Sequence, residues 1–278
     1  RVGVYFNLAH NENKITEMPD NYIEENYTFG NGNYAYRREE GRPMGSFYGY
    51  RYKGVYQNKD ATYARDIEGN VMKDISGNAI VMRNGSYTVA PGDAIYEDVN
   101  HDGVINQYDI VYLGNSNPRL TGGAGLNVSY KQFKLSAIFY GRYGQDVVNA
   151  TRLNNESMRG IDNQSTAVLR RWRNEGDQTD IPRALYGEGY NTLGSDRFVE
   201  DASYLRLKSL SFTYRLPKKA IQRWGFNNID VYVTGYNLFT WTNYTGQDPE
   251  VKTENTYAKD TATTPASIQL VAGFNLSF

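Results

Sequence analysis

One twelve-residue segment has the residue types and spacing of a cation-binding loop. Residues 98–109 read Asp-Val-Asn-His-Asp-Gly-Val-Ile-Asn-Gln-Tyr-Asp. Oxygen-bearing side chains and one glycine follow the spacing of the EF-hand loop, and a hard cation such as Ca²⁺ takes about six to eight oxygen ligands. The predicted ligands are the side chains of Asp98, Asn100, Asp102, Asn106 and Asp109 and the carbonyl oxygen of Val104.

The last position of this loop is Asp109, where sensor loops carry a longer glutamate that binds through both carboxylate oxygens. We therefore expect a structural Ca²⁺ that staples a long loop, and not a regulatory switch. The alternative is an acidic Asp-Gly turn that holds no metal.

Other chemistry has little support in the composition. The chain has no cysteine and only His10 and His101, which leaves little room for thiolate chemistry, a zinc site or a histidine-based triad. Acidic residues are common, but no spacing singles out the carboxylate pair of a glycosidase. The formal net charge of −1 disfavours a nucleic-acid partner. We expect no enzymatic activity.

The elements that would position the cation loop are strands. Residues 267–278 read Ser-Ile-Gln-Leu-Val-Ala-Gly-Phe-Asn-Leu-Ser-Phe, with apolar residues at even positions and mostly polar residues at odd ones. Soluble strands are usually about five or six residues long, whereas a tilted strand of about ten residues spans a membrane. The segment therefore predicts a transmembrane β-strand.

The same alternation recurs along the chain. It predicts about seven long strands, at residues 2–8, 46–56, 120–130, 133–145, 205–216, 229–241 and 267–278. The strand at 46–56 has the weakest pattern, and we expect a bulge near Gly235. A charge at the lipid-facing midplane costs about 2–4 kcal/mol, so Lys134 and Arg142 are expected to face a lumen or an interface.

The connections between these strands differ in length. Short turns at 130–132 and 217–225 alternate with long segments at 57–119, 146–198 and 242–266, as in outer-membrane barrels with short periplasmic turns and long extracellular loops. Seven strands do not close a bacterial barrel, so we expect further strands N-terminal to Arg1. A helix is expected at 167–174, capped by Ser165 or Thr166.

Aromatic residues in the long segments allow two interpretations. The side chains could stack on sugar rings, or they could form the aromatic girdle at the membrane interface. We favour the girdle for Trp241. The residues concerned are Tyr186, Tyr190, Trp241, Tyr244 and Tyr257.

Several ordered segments resemble the C-terminal part of the SusC-like TonB-dependent outer-membrane transporters of the Bacteroidetes. They include GRPMGSFYGYRYKGVYQ at 41–57, the stretch 92–149 that contains the cation loop, and RRWRNEGDQTDIPRA at 170–184. ASYLRLKSLSFTYRLPKK at 202–219 and VYVTGYNLFTWTNYTGQDPEV at 231–251 complete the series. The resemblance covers nearly the whole chain, and the cation loop belongs to the family pattern.

The resemblance implies an all-β fold, a transmembrane antiparallel barrel of about 22 strands, of which this chain supplies about seven. It implies a plug and a TonB-binding segment in an N-terminal remainder, a SusD-like surface lipoprotein as partner, and import of oligosaccharides or oligopeptides across the outer membrane. Phe278 matches the aromatic end that the barrel-assembly machinery reads. The alternative is a secreted, calcium-stapled β-sandwich that binds carbohydrate, with one face of each strand buried.

Overall fold

Six long antiparallel strands form one sheet, which we call the wall. In this computed structural model, residues 1–18, 32–34, 38–251, 253–254 and 257–278 are described. The wall strands are β1 (Val2–His10), β2 (Leu120–Tyr130), β3 (Phe133–Tyr143), β4 (Tyr204–Arg215), β5 (Asn228–Thr242) and β6 (Gln269–Ser277). They are hydrogen-bonded in chain order, each to the next.

The register of the wall sorts the side chains into an apolar and a polar face. One row across all six strands contains only apolar residues: Val2, Val128, Leu135, Phe212, Val233 and Ala272. The neighbouring row contains Gly3, Asn127, Ser136, Ser211, Thr234 and Val271. Here the Ser136 hydroxyl donates to Asn127 Oδ1 at 2.6 Å and the Thr234 hydroxyl donates to Ser211 Oγ at 2.8 Å. Cross-strand partners share a face, so the alternation in sequence becomes two continuous surfaces.

The apolar face is exposed instead of packed. Phe6, Leu270 and Phe274 are 82%, 75% and 68% exposed. No helix in the described part of the chain is long and apolar enough to cross a membrane.

Short turns and long segments lie at opposite ends of the wall. The turns β2–β3 and β4–β5 occupy one end, the turn end. Residues 11–119, 144–203 and 243–268 connect the strands at the other end, the loop end, and their described parts form what we call the loop layer. Residues 252, 255 and 256 of the predicted 242–266 segment lie outside the described residues.

Short elements interlock the three long segments. Their strands are Ser46–Gly49, Tyr52–Val55, Arg83–Asn84, Tyr87–Thr88, Ala94–Tyr96, Val111–Asn115, Asp146–Asn149, Val199–Asp201, Thr253–Glu254 and Tyr257–Asp260. The α-helices are Ala150–Asn155 in the loop layer and Lys218–Ile221 in a turn, and the 3₁₀ helices are Asp60–Thr62, Gln107–Asp109, Thr166–Arg170, Tyr190–Thr192, Asp196–Phe198 and Gln222–Trp224. The strand Asp146–Asn149 pairs with strands of both the second and the third long segment, which joins them.

The segment predicted as a wall strand at 46–56 belongs to the loop layer. It forms two short strands that pair with Val111–Asn115 and Ala94–Tyr96. Its aromatic residues Phe47, Tyr48 and Tyr50 are buried on both sides. The prediction of strand at 46–56 is confirmed for Ser46–Gly49 and Tyr52–Val55. Alternation alone does not distinguish a strand that faces a membrane from one that is covered on both faces. Because this segment is not part of the wall, short and long connections alternate from β1 to β6.

The helix predicted at 167–174 is shorter and of a different type. It is the 3₁₀ helix Thr166–Arg170, and the Ser165 side chain accepts the cap bond from the Ala167 amide at 3.0 Å. It ends because the Trp172 amide donates to the Ile181 carbonyl, which draws the chain into an extended path. The bulge expected near Gly235 lies at Asn237, whose φ of 53° places it in the left-handed region.

Candidate functional site

A charged cluster lies on the polar face of the wall near the loop end. Arg206 of β4 is buried and donates to Thr240 Oγ1 of β5 at 2.8 Å, to Glu250 Oε2 at 2.9 Å and to a carboxylate oxygen of Asp248. Lys208 donates to the same Glu250 oxygen at 2.9 Å. Because Asp248 and Glu250 come from the third long segment, these ion pairs fasten the loop layer to the inner side of the wall.

Aromatic residues continue this surface across the strands. Arg142 of β3 donates to the Tyr140 hydroxyl at 3.2 Å, and the Tyr140 and Tyr204 rings lie 6.3 Å apart. The Tyr204 hydroxyl is buried and has no hydrogen-bond partner among the described residues. As predicted, Arg142 and Lys134 lie on the polar face, since their partners in β2 are Thr121 and Ser129.

The predicted cation loop is a compact coil that binds its own backbone. Asp98 accepts hydrogen bonds from the amides of Asp102 at 3.2 Å and Gly103 at 2.8 Å. Asp102 accepts from the Val104 amide at 2.8 Å, and Gly103 has φ of +80°. An added Cβ at Gly103 would lie 2.9 Å from the Ala64 Cβ, so both the backbone conformation and the packing require glycine there.

Asp109 closes the loop from inside the loop layer. It is fully buried, and its carboxylate accepts from the amides of Val99 and Asn106, both at 2.8 Å. Burial raises the pKa of Asp109, the two amides oppose that effect, and the carboxylates of Asp98 and Asp102 raise the pKa further. The carboxylates of Asp98 and Asp102 therefore act electrostatically on the buried Asp109.

The donor set fits a cation only in part. Among the described residues, no three His, Cys, Asp or Glu side chains are grouped so that they alone could hold a metal ion. A site at this loop therefore needs the oxygens of Asn100 and Asn106 and the Val104 carbonyl besides the carboxylates. The Asn106 side-chain amide donates to the Val104 carbonyl at 3.1 Å, which places these two ligand candidates side by side.

Two motifs that are far apart in sequence meet in the loop layer. Gly92 lies against the Trp172 ring and leaves no space for a Cβ. The neighbouring Asp93 is fully buried and accepts from Arg183 Nε at 2.7 Å, from the Tyr87 hydroxyl at 2.7 Å and from Asn191 Nδ2 at 3.2 Å. No role was predicted for these residues from the sequence. They belong to the family segments 92–149 and 170–184, which occur in the expected order, but no spacing rule predicts that the two segments touch.

Most of the aromatic residues considered for ligand stacking or for the girdle pack in the core of the loop layer. Tyr190 and Tyr244 are buried, and the Tyr244 hydroxyl donates to Asp260 Oδ2 at 2.7 Å, so neither offers a free ring for stacking on a ligand. Tyr257 packs against Phe47, with ring centroids 5.6 Å apart. Tyr186 is exposed. Trp241 is exposed on the apolar face, in the row of Leu205 at the loop end.

Comparisons with known proteins agree with this architecture. TonB-dependent receptor P3 of Formosa agariphila is 33% identical over 257 residues, which cover 90% of this chain and 23% of the receptor. TonB-dependent receptor P26 of the same organism is 30% identical over 248 residues, which cover 87% of this chain and 23% of that receptor. The solved structure of the RagAB peptide transporter matches all of this chain with a TM-score of 0.68 and 26% identity, over 27% of the transporter chain.

The chain belongs with the SusC-like TonB-dependent transporters. No protein-family model matches it. The comparisons confirm the fold class, a transmembrane antiparallel β-barrel, and the strand pairing in the structure corrects the wall strand predicted at 46–56. The chain spans about a quarter of the length of these relatives.

Proposed function

We propose that this chain forms part of the barrel wall of a TonB-dependent importer in a bacterial outer membrane. The wall carries the proposal: an unbroken apolar row across six strands, exposed on five of them and half-buried at Val128, lies beside a hydrogen-bonded polar row. A β-sandwich would bury the apolar row, and this one is exposed. The apolar face meets lipid, and the polar face lines the transport path.

Other strands of a longer polypeptide complete the barrel in this proposal. In the described part of the chain, β1 pairs with β2 and β6 pairs with β5, which leaves one edge of each free. Unpaired backbone groups are costly in lipid, so both edges need partners. The greater length of the relatives supports an N-terminal remainder that also supplies the plug and the contact with TonB.

The same proposal gives the wall an orientation. The turn end, with Phe278 near it as the assembly signal, faces the periplasm, and the loop layer faces outward. A SusD-like lipoprotein covers the loop layer in the assembled transporter. The likeness to RagAB supports this partner, and it favours oligopeptides over oligosaccharides as cargo, because RagAB is described as a peptide transporter.

Uptake by cells tests the proposal. Cells that express the full-length protein are supplied with labelled oligopeptides or labelled oligosaccharides, and a strain without TonB serves as the control. We expect accumulation that requires both the full-length protein and TonB. Uptake that is equal with and without TonB would reject active import, and recovery of the protein from a detergent-free soluble fraction would reject the barrel.

We also infer that the loop of residues 98–109 holds Ca²⁺ as a structural ion. Asp98, Asn100, Asp102, Asn106 and Asp109 and the Val104 carbonyl would hold it. The burial of Asp109 and its repulsion by Asp98 and Asp102 support the inference, because a bound cation would offset both. When bound, the ion supplies positive charge that keeps the coil closed, and it takes no part in transport.

A further inference from the structure

The two turns at the turn end form one surface. The Arg215 amide at the end of β4 donates to the Gln132 carbonyl in the β2–β3 turn at 2.8 Å. On the apolar face, the Phe133 and Tyr214 rings lie 5.0 Å apart. The β2–β3 turn and residues 216–227 are therefore held side by side, and we call them together the turn-end surface.

Among its side chains, the turn-end surface carries only positive formal charge. Its basic residues are Lys131, Lys218, Lys219 and Arg223, and neither residues 130–133 nor residues 216–227 include an acidic side chain. All four basic side chains are exposed, and none forms an ion pair with another described residue. The buried Ile221 anchors the short helix Lys218–Ile221, which keeps its two lysines at the surface.

Two of these cations lie on aromatic rings. Lys131 Nζ is 5.4 Å from the centre of the Tyr130 ring, and Arg223 Cζ is 5.0 Å from that of Trp224. Tyr130 and Trp224 are 66% and 54% exposed, and Tyr130 lies in the row of Phe133 and Tyr214 where the apolar face ends. An aromatic ring with a cation above it, where an apolar surface ends, suits the headgroup region of a bilayer.

We propose that the turn-end surface binds the phosphodiester headgroup of an anionic phospholipid, such as phosphatidylglycerol, in the membrane leaflet at the turn end. The four cations attract and hydrogen-bond the phosphate, while Tyr130 and Trp224 lie at the level where the acyl chains begin. The proposal rests on the membrane orientation given above. It commits to a lipid because the surface continues directly into the apolar face.

The test uses the full-length transporter in a neutral detergent. Native mass spectrometry follows binding of short-chain phosphatidylglycerol and phosphatidylcholine, with inorganic phosphate as a separate competitor. The variant K131Q/K218Q/K219Q/R223Q removes the four charges. The variant K14Q/K59Q/K73Q/K259Q removes four exposed lysine charges from the loop layer and serves as the matched control. The variant K131R/K218R/K219R/R223K keeps the charges.

We expect the unaltered protein to prefer phosphatidylglycerol, and the charge-removing variant to bind it at least about tenfold more weakly. The control and the charge-keeping variant should retain the preference, which separates loss of the site from loss of folding. Equal binding of both lipids, equal loss in the control, or complete displacement by millimolar inorganic phosphate would each overturn the proposal.

The outcome is separable from that of the proposed transport. Lipid binding is measured without TonB or cargo. Intact uptake with unchanged lipid binding in the charge-removing variant would reject only the lipid site. Absent uptake with the expected lipid preference would reject only the import function.

Discussion

The wall and the loop layer follow opposite rules for apolar side chains. In the wall, Phe6 and Leu270 are among the most exposed residues of the chain. In the loop layer, Phe47, Ile105 and Phe198 are fully buried. The two regions touch through Arg206 and its carboxylate partners. The wall nevertheless exposes its apolar face, whereas the loop layer buries its apolar side chains in a core.

The difference reflects the medium that surrounds each region. The loop layer has to exclude water from its apolar residues by packing them against one another, as a soluble domain does. In the proposed barrel the wall meets lipid, which is as apolar as a leucine side chain, so its outward face needs no protein cover. The following experiments test whether the stability of each region depends on the medium that surrounds it.

Phe198→Ala should cause the largest loss, about 3–5 kcal/mol of loop-layer stability, because a fully buried ring leaves a cavity in a close-packed core. Limited proteolysis and hydrogen exchange of the loop layer measure the effect. Tyr186→Ala, at an exposed aromatic, is the control and should change stability by less than about 0.5 kcal/mol. If the wall loses its resistance to denaturation as much as the loop layer does, the two regions are not independent.

Phe212→Arg should destabilise the membrane-inserted wall by about 2–4 kcal/mol, because the charge would enter the lipid-facing row. Ser211→Arg is the neighbouring control and projects from the polar face. Urea unfolding in lipid vesicles compares the two variants. Equal losses would mean that the apolar face does not meet lipid.

Removal of Ca²⁺ by a chelator should loosen the loop layer and leave the wall unchanged. A site saturated at about 100 times its dissociation constant contributes about 2.7 kcal/mol. The expected readout is faster hydrogen exchange at 98–109 after chelation and its recovery with Ca²⁺ but not with Mg²⁺. Asp102→Ala should exchange quickly under both conditions. Hydrogen exchange at 98–109 that is the same with and without the chelator would contradict a structural calcium site.

Acidification should weaken the junction between wall and loop layer by about 1 kcal/mol. Burial tends to raise the pKa of Asp248, but the amides of Ala266 and Glu250 and the Arg206 guanidinium hold it below the usual value of 3.8. The Asp248 contribution is therefore present at neutral pH and is lost as the pH falls below that value and through the lowered pKa. Hydrogen exchange at 245–251 between pH 5 and pH 3 measures the loss, and Asp248→Asn should already show the faster exchange of the weakened junction at pH 5.

The wall could be predicted from the sequence because its physics is local. Alternation with period two places every second residue on one face, and six strands with that pattern pair so that Leu135 and Phe212 become neighbours. The compact coil at 98–109 also follows from short-range geometry, because Gly103 turns sharply and Asp98 and Asp102 accept from nearby amides; its binding of a cation stays a prediction.

The loop layer was much less predictable because long-range contacts determine it. The contact between Gly92 and Trp172 and the ion pair between Asp93 and Arg183 join residues about 80 to 90 positions apart. Alternation at 46–56 gave the strand but not its surroundings. The helix Ala150–Asn155 was missed, although Asn149 caps it by accepting from the Arg152 amide at 2.9 Å.

The bulge in the wall has a consequence for how this strand pair can change in evolution. The bulge at Asn237 in β5 is accompanied by a second one in the neighbouring strand: from Leu207 to Leu210, β4 advances three residues while β3 advances two, and Leu207 and Leu210 both lie on the apolar face. The bulge therefore shifts the register between the two halves of β4 by one residue, and both halves keep their apolar residues on the same face. Residues near the loop end can gain or lose one position while Phe212 and Tyr214 keep their place in the membrane. The loop-end part of β4 can therefore vary in length, while the part that contains Phe212 and Tyr214 keeps its register.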